Sequence, residues 1–282
     1  MKWATFALAL TTPTWATAED TPEPFSASGY ASVAGSVVNY TYNNFGGFYL
    51  SVADHTLRWE GFHGYFYGLV NANAPQISRV APDIFLYSWR TRGNGSDNVV
   101  HNYRTMRVTA HLQPDDGGGE AIQMIHGVIH CRNTPDCVAP STEPTPRPDF
   151  GPRMMRNIQE FGLPAMFDPE VNNVPRASAD ITAREELAGH VIVYGTPEGE
   201  YRIEVAGETT RVSIDGRPSE QFQTYASKLA DDLFFISWMG GVGGSHVVVN
   251  RKTRKVYDHI LPSGERRESI FELSCFDLKN NC

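Results

Sequence analysis

The chain carries the same sequence pattern twice, in the same order along its length. Three pairs of segments match: residues 35–40 with 189–194, residues 83–89 with 232–238, and the run that ends at Cys131 with the run that ends at Cys275. Each copy spans roughly a hundred residues, which is the size of an ordinary domain. A solenoid needs at least three stacked repeats, so two copies predict two homologous domains.

Both copies have the pattern of a β protein. Apolar and aromatic runs of about four to eight residues alternate with turn residues about every eight to twelve residues, with about eight runs in each copy. No amphipathic run of helical length separates them, which excludes parallel βαβ units. Short connections pair consecutive strands as hairpins, and a meander with an even number of strands can close on itself. We therefore predict an all-β fold of two tandem up-and-down antiparallel barrels, each of about eight strands.

The chain is expected to divide into four parts. Residues 1–18 predict a signal peptide, because a lysine precedes a short apolar stretch and a small-residue cleavage site at 16–18. The apolar stretch is much shorter than the roughly 20 residues that cross a bilayer, so no membrane span is expected. We expect an N-terminal barrel over residues 19–138, a proline-rich, partly helical linker over residues 139–180 and a C-terminal barrel over residues 181–282. The mature protein is then secreted or periplasmic.

The charge pattern argues against nucleic acid as a partner. The formal net charge is −8, and the densest basic cluster is the short run 251–255. Nucleic-acid binding requires a basic surface that displaces counterions from the phosphates. We interpret the short basic run as a solvated hairpin, and we expect no nucleic-acid partner.

The cysteines are expected to form disulfides, because an exported chain folds where thiols oxidise. The chain has four cysteines, which allow three pairings. In each copy one cysteine ends the last predicted strand and another follows six or seven positions later. The local pairs Cys131–Cys137 and Cys275–Cys282 preserve the symmetry of the repeat, and we favour them over the other pairings.

Two tyrosines on the first predicted strand are the leading candidates for ligand binding. Side chains alternate along a strand, so Tyr40 and Tyr42 share one face with Val38, and Asn39 points the other way. Two phenols inside a barrel can hold a phenolate or a carboxylate, or relay a proton; the alternative is that their rings fill the core. Asn39 and Asn94 begin glycosylation sequons, and an outward Asn39 would suit a glycan.

Aromatic residues downstream are candidates for lining the same cavity. Trp59, Tyr65 and Tyr67 lie in a dense aromatic stretch, and Trp89 belongs to a segment that both copies keep. We assign these residues to a ligand pocket. Two alternatives stay open: the aromatic stretch fills the core and contacts the other barrel, and Trp89 is a structural plug.

The order of short motifs in the first copy resembles that of the phenolic acid decarboxylases. The matching segments, in chain order, are 39–44, 55–57, Arg79 with Val80, Ser88 with Trp89, and 126–129. Both copies also resemble the molybdenum-cofactor-biosynthesis F (MoaF) family, a calycin-like relative of those enzymes, through the segments that end in Ser-Trp and through residues 207–211. The resemblance implies lipocalin-like barrels with a central cavity and, in the decarboxylases, a cofactor-free lyase that acts on hydroxycinnamates.

Only part of the decarboxylase site carries over to this chain. Tyr40 and Tyr42 match the tyrosine pair that holds the substrate carboxylate in that family. The position of the family's arginine falls on Glu60, with Arg58 nearby on the same strand face, and Ala74 stands where the family has its acid–base glutamate. The family's proton donor is therefore missing, so decarboxylation of hydroxycinnamates is not expected.

One histidine is a further candidate for acid–base chemistry. His126 can face the cavity, where its near-neutral pKa would suit proton transfer; the alternative is a hydrogen-bonded core histidine. His126 and His130 share one face of a predicted strand, but roughly 13 Å separates them, which is too far for a shared metal ion. We expect neither a metal nor another cofactor.

These observations predict an exported protein that binds a small aromatic or phenolic compound in its N-terminal barrel, as a cofactor-free lyase or isomerase. The alternatives are a non-catalytic carrier and a structural double barrel. An enzyme needs a titratable group beside the tyrosines, at Arg58, Glu60 or His126. If those three side chains point outwards, the carrier is favoured; if Tyr40 and Tyr42 also point outwards, the structural role is favoured.

Overall fold

The computed structural model describes these parts of the chain: residues 27–42, 46–90, 96–113, 124–161, 178–197, 199–217, 221–239, 245–259, 270–279 and 281–282. The predicted signal peptide and Asn94 lie outside these ranges. Within them the chain is nearly all β, and the strands form two barrel-like antiparallel domains that follow each other in sequence. The predicted fold class is confirmed.

Nine antiparallel strands form the N-terminal domain. They are β1 Ser36–Tyr42, β2 Gly46–Ala53, β3 Thr56–Gly64, β4 Val70–Asn73, β5 Gln76–Ala81, β6 Ile84–Arg90, β7 Ser96–Asn102, β8 Arg107–Gln113 and β9 Met124–Arg132. They curl into one sheet in the order β4-β3-β2-β1-β9-β8-β7-β6-β5, and in the described part β4 and β5 are not paired with each other. The domain is therefore barrel-like without full hydrogen-bonded closure. Between β4 and β5 the chain passes through Pro75, which has no N–H to donate to a ladder.

The C-terminal domain is a closed antiparallel barrel of eight strands in simple meander order. Its strands are β10 His190–Thr196, β11 Gly199–Val205, β12 Thr209–Ile214, β13 Gln221–Ala230, β14 Leu233–Met239, β15 Ser245–Asn250, β16 Lys255–Tyr257 and β17 Ile270–Leu278. The first strand, β10, pairs with both β11 and β17, which closes the barrel. The predicted closed meander is thus complete in the second copy.

The helices of the described part are α1 Ala27–Ala31, α2 Arg147–Phe161 and α3 Ser178–Leu187. Helices α1 and α3 precede the first strand of their domains, and each is followed by a glycine with positive φ, Gly35 at +76° and Gly189 at +80°. Val33, just after α1, packs into the first core, as Leu187 does in the second. Each domain is thus closed at one end by the segment before its first strand. None of the described helices combines the length and apolar character needed to cross a membrane.

The proline-rich segment before α2 runs along the outside of the N-terminal domain. The Arg58 guanidinium donates to the carbonyl of Thr142 at 2.6 Å, and the N–H of Ser141 donates to the Glu60 carboxylate at 2.7 Å. Thr145 forms two further hydrogen bonds with the edge strand β4. These contacts hold the segment against the outer face of β3 and the edge of β4.

Both predicted disulfides are present. Cys131 is bonded to Cys137, with Cα atoms 5.7 Å apart, and Cys275 to Cys282, with Cα atoms 5.9 Å apart. Each bridge joins the last strand of its domain to the segment that follows, so the repeat extends to the covalent links. Disulfides are typical of proteins in an oxidising compartment.

The outer faces of the two domains pack against each other. Side chains alternate along β6 and β14, so every second residue fills its own barrel and those between meet the other domain. One buried hydrophobic cluster joins the domains: Val80, Ile84, Leu86, Val100 and Met124 of the first with Leu233, Phe235, Val248 and Tyr257 of the second. The two barrels therefore share a third core between them.

Two serine–histidine pairs cross this interface at equivalent positions of the repeat. Ser88 Oγ lies 2.8 Å from His259 Nδ1, and Ser237 Oγ is hydrogen-bonded to His111 Nδ1. Ser88 and Ser237 occupy the same place in the two copies, and so do His111 and His259. Each serine thus forms a hydrogen bond with the histidine of the other copy. Such reciprocal contacts occur where two equivalent units are related by a two-fold axis. The two domains pack like the subunits of a homodimer.

Two asparagines repeat this cross-pairing. Asn102 Nδ2 donates to the carbonyl of Leu229 at 2.9 Å, and Asn250 Nδ2 donates to the carbonyl of Val80 at 2.8 Å. Both bonds run from a buried side chain to the backbone of the other domain. Like the serine–histidine pairs, they fix how the two domains are oriented.

Replacing Asn250 by alanine is expected to lower the free energy of unfolding by about 1–3 kcal/mol, because the Val80 carbonyl is left buried without its partner. Urea denaturation followed by circular dichroism measures this change. Asn281→Ala, at an exposed position, is the control and is expected to stay within about 0.5 kcal/mol of the unmodified protein. Equal effects of the two substitutions would contradict the role assigned to Asn250.

Candidate ligand-binding site

The two tyrosines predicted to bind a ligand lie inside the N-terminal domain. Tyr40 and Tyr42 are buried, and their rings meet edge to face with centroids 5.2 Å apart. Phe48 of β2 stacks on Tyr40 at 5.6 Å, and His101 of β7 meets Tyr40 edge-on at 5.1 Å. Burial raises the pKa of both phenols above its usual value. The interior therefore presents two neutral hydroxyl groups.

The same alternation points Asn39 out of the barrel, beneath the loop of the first disulfide. Asn39 Nδ2 donates to the Val138 carbonyl at 2.7 Å, and its Oδ1 accepts from the Val138 N–H at 2.8 Å. Asn39 is thus outward, as expected, but the loop covers it and leaves it buried. A glycan on Nδ2 would displace this loop, so the position does not favour the glycosylation expected at Asn39.

The three residues predicted to carry acid–base chemistry lie on the outer surface of the domain. On β3, Arg58 and Glu60 alternate with core residues and contact the linker segment. On β9, His126 Nδ1 lies 3.1 Å from Thr109 Oγ1, across the outer face of the β8–β9 pair. These three side chains are therefore separated by the sheet from the tyrosine pair.

Of the four other aromatic residues predicted to line a ligand pocket, two lie in the core of the barrel. Trp59 and Trp89 are buried in the same core cluster as the tyrosine pair. Tyr65 is partly buried, and Tyr67 is 52% exposed. Asn157 of α2 donates to the backbone carbonyls of Tyr65 and Tyr67, at 2.8 Å and 3.1 Å. The segment that carries Tyr65 and Tyr67 thus connects the barrel to α2.

An inward carboxylate on β7 belongs to this site, and the sequence analysis missed it. Asp97 is the cross-strand neighbour of Trp89. It lies four residues before the buried His101 on the same strand, so both side chains are on the same face of β7. Burial raises the pKa of Asp97 to about 7, and Trp89 acts in the opposite direction. The negative charge of Asp97 in turn contributes to the raised pKa of Tyr40 and Tyr42. Strand alternation is the signal that could have found Asp97, since its side chain shares a face with His101.

His101 belongs to a hydrogen-bonded network in the middle of the barrel. His101 Nδ1 lies 3.0 Å from the Tyr103 hydroxyl, which lies 3.0 Å from the Tyr87 hydroxyl. Burial lowers the pKa of His101 to about 3, and the nearby Arg132 contributes in the same direction. The imidazole is therefore neutral at physiological pH. Arg132 itself lies over the Tyr103 ring, 3.9 Å from its centroid.

Asp97 and Arg132 occupy opposite ends of the barrel. Val38, near the start of β1, is paired with Arg132 of β9, and Tyr42, at the end of β1, is paired with Gly127 of β9. Because β7 runs antiparallel to β1, Asp97 at its start lies at the end where β1 finishes, beside Tyr42. Helix α1 precedes β1, so it closes the Arg132 end. The connections at the Asp97 end include residues 43–45, 91–95 and 114–123, which lie outside the described ranges.

Some buried polar atoms of this interior have no hydrogen-bond partner among the described residues. They include the indole nitrogen Nε1 of Trp59 and Nε2 of His101. An unsatisfied buried polar group costs about 1–3 kcal/mol, and such groups in folded proteins normally find a partner in protein or water. A bound molecule with a hydroxyl group could satisfy them.

The C-terminal barrel has a different interior. Tyr194, the counterpart of Tyr40, donates to the Asp258 carboxylate at 2.6 Å, and both side chains are buried. Thr196 stands where the first copy has Tyr42, so the second copy lacks the tyrosine pair. The N-terminal barrel is therefore the candidate site. No group of three or more potential metal ligands occurs in the part of the chain that the structure describes.

The similarity of the chain to known proteins is low. No protein-family model matches the chain, and neither does any curated protein. Among solved structures, a chain described as a "putative beta-lactamase from Burkholderia vietnamiensis" is similar over 34% of this chain and 92% of its own length. The two are 11% identical, with a TM-score of 0.31. A likeness at that level carries no argument about function.

Proposed function

We propose that this chain is an exported protein that binds a small aromatic or phenolic compound inside its N-terminal barrel. The observation that carries the proposal is the pair of buried phenols, Tyr40 and Tyr42, in an interior where Trp59 Nε1 and His101 Nε2 have no partner among the described residues. A core built for stability satisfies its buried polar groups, as the Tyr194 hydroxyl of the second barrel is satisfied. A ligand with an aromatic ring and a polar group would complete the first barrel.

Export is supported by the two disulfides and by the pattern of the first 18 residues. We infer a secreted or periplasmic location. The resemblance to the calycin-like MoaF family agrees with a ligand in the centre of a barrel, which is where lipocalin-like barrels hold their ligands.

A carrier is favoured over the lyase or isomerase activity that the resemblance to phenolic acid decarboxylases implies. Arg58, Glu60 and His126 contact the linker or the outer face of the sheet, away from the tyrosine pair. A catalytic variant of the proposal would depend instead on Asp97, a titratable group that faces the interior. The structural alternative predicts that the barrel binds nothing, and the measurement below separates it from the carrier.

The probe for this proposal is 4-ethylphenol, which carries a phenol and no charge at neutral pH. We expect it to bind the purified protein and to change the tryptophan fluorescence, because Trp59 and Trp89 lie in the same cluster as the tyrosine pair. Tyr40→Phe and Tyr42→Phe each remove one hydroxyl and are expected to raise Kd about fivefold, which corresponds to one hydrogen bond of about 1 kcal/mol. Titration calorimetry measures Kd.

Tyr49→Phe is the matched control. Tyr49 alternates with core residues of β2 and stacks on Phe62 outside the barrel, with ring centroids 4.5 Å apart. Its hydroxyl should make no difference to Kd. The proposal fails if neither 4-ethylphenol nor a charged analogue of it binds, or if the Tyr49 variant loses as much affinity as the Tyr40 and Tyr42 variants.

A further inference from the structure

Asp97 is an inward carboxylate with no cation beside it among the described side chains. Of the described groups, burial and the indole of Trp89 shift its pKa, and no basic side chain among them contributes. The basic residue of the described interior, Arg132, lies at the opposite end of the barrel, where its guanidinium covers Tyr103. Asp97 is partly buried, and burial disfavours the ionised form of its carboxyl group. A positive partner would stabilise the ionised form.

Aromatic rings form the wall of the barrel around this end. Trp89 is the cross-strand neighbour of Asp97. Tyr42 meets Phe48 edge to face at 5.8 Å, and Phe48 meets Trp59 in the same geometry at 5.8 Å. The faces of such rings carry negative partial charge and attract cations within about 6 Å. Carboxylate and rings together make a site for a positive charge.

The other titratable groups that face Asp97 in the described part of the chain do not supply that charge. Tyr40 and Tyr42 on β1 keep their protons, because burial raises the pKa of both phenols. His101 on β7 stays neutral, because burial lowers its pKa to about 3. The phenols Tyr87 and Tyr103, farther along the barrel, also have raised pKa values through burial. Among the described side chains, an anionic ligand at this end would meet a carboxylate and no cation.

We propose that the N-terminal barrel selects an organic ammonium compound with an aromatic body, whose ammonium group pairs with Asp97 while its ring packs against Trp59, Trp89 and the tyrosine pair. This inference rests on the proposed function, which it narrows from aromatic compounds in general to cationic ones. Pairing with a cation favours the ionised carboxylate and so removes the cost of burying it alone. A hydroxyl group on the ring of the ligand can also form a hydrogen bond with Trp59 Nε1 or His101 Nε2, because neither atom has a hydrogen-bond partner among the described residues.

Three probes with the same phenol skeleton test this selectivity: tyramine, which carries an ammonium group, neutral 4-ethylphenol, and 3-(4-hydroxyphenyl)propionate, which carries a carboxylate. At pH 8 we expect tyramine to bind at least roughly tenfold more tightly than 4-ethylphenol, and the carboxylate to bind most weakly. If 4-ethylphenol or the carboxylate binds as tightly as tyramine, this inference is overturned and the proposed function stands. If none of the three binds, both fail.

Asp97→Asn removes the charge and keeps the shape. We expect this variant to lose the preference for tyramine while its Kd for 4-ethylphenol changes less than about twofold. Asp83→Asn is the control, because Asp83 is exposed in the β5–β6 turn at the other end of the barrel, with a φ of +57° that asparagine adopts readily. Thermal unfolding reports whether each variant is folded. Should the asparagine variant not fold, Asp97→Glu is expected to keep the preference, and its loss there overturns the inference.

The pH dependence gives a second readout on the unmodified protein. The Asp97 carboxyl has a pKa of about 7, so it is ionised at pH 8.5 and protonated at pH 5.5. The aliphatic ammonium of tyramine keeps its charge throughout that range. Tyramine should therefore bind more weakly at pH 5.5 by roughly tenfold, and 4-ethylphenol should not respond. Tyramine binding that does not vary with pH would overturn the assignment to Asp97.

Discussion

Lowering the pH from 7 to 4 is expected to reduce the free energy of unfolding by on the order of 5 kcal/mol. Three buried histidines are responsible: His101 inside the first barrel, and His246 and His259 between the barrels. Burial lowers the pKa of His101 and of His259 to about 3, and burial lowers the pKa of His246 well below its usual value. All three are therefore neutral in the folded chain.

The sign follows from the difference between folded and unfolded states. An unfolded histidine binds a proton below pH 6.5. The folded His101 and His259 do so only near pH 3, and burial also lowers the pKa of His246 well below its usual value. Their contribution to stability is complete above pH 6.5 and is lost as the pH falls, at about 1.4 kcal/mol per pH unit for each histidine. Asp97 has the opposite effect, because its pKa is raised in the folded state. Its contribution to stability is present below pH 3.8 and is lost as the pH rises to about 7. The destabilisation by three histidines exceeds the stabilisation by one carboxyl group, so the free energy of unfolding falls on acidification.

Urea denaturation at pH values between 7 and 4 measures this effect. His259→Asn should flatten the dependence by about 1.4 kcal/mol per pH unit below pH 6.5, although it also lowers stability at pH 7 by removing hydrogen bonds to Ser78 and Ser88. Ser274→Ala, at an exposed position without a titratable group, should leave the slope as it is. A slope that is the same in the His259 variant and the unmodified protein would refute the explanation.

Truncating Phe235 to alanine is expected to lower the free energy of unfolding by about 3–5 kcal/mol. Phe235 is fully buried, and it contacts the cluster between the barrels rather than the core of its own barrel. The substitution removes a large apolar side chain and leaves a cavity that neither sheet can fill without moving. Because the cluster contains residues of both domains, the loss should weaken both barrels.

Hydrogen exchange measured by mass spectrometry can follow the two barrels separately. Exchange should become faster in peptides that cover β6 and β7 of the first domain as well as in those that cover β14. Phe62→Ala on the outer face of β3, where the ring stacks on Tyr49, is the matched control and should cost less than about 1.5 kcal/mol. If Phe235→Ala accelerates exchange in the second domain alone, the barrels do not stabilise each other through this interface.

Much of the fold could be predicted because its signals are local. The repeat predicts two related domains, and the alternation of apolar residues predicts antiparallel strands. The placement of Tyr40 and Tyr42 on one face of β1 follows from the period of two along a strand. The local disulfides could be predicted because the two copies keep the same cysteine spacing, and a pairing that respects the repeat favours Cys131–Cys137 and Cys275–Cys282.

The rest depends on contacts between residues far apart in the chain. The sequence places Arg58 and Glu60 on one face of β3, but only the packed structure shows that the linker covers that face. Strand alternation places Asp97 on the same face of β7 as His101, but its position beside Trp89 follows only from the register of β7 against β6. The site thus combines residues predicted from the sequence with one that tertiary structure revealed.

By itself the sequence determined the class of fold and the number of domains, favoured the local disulfides and placed Tyr40 and Tyr42 on one strand face, because strand periodicity and an internal repeat can be read without knowing the tertiary contacts. Only the tertiary structure decided which outer faces are covered, how Ser88 and Ser237 each meet the histidine of the other copy, and which carboxylate shares the interior with the phenols. The physical reason is that burial and pKa depend on neighbours that the folded chain brings together from distant positions.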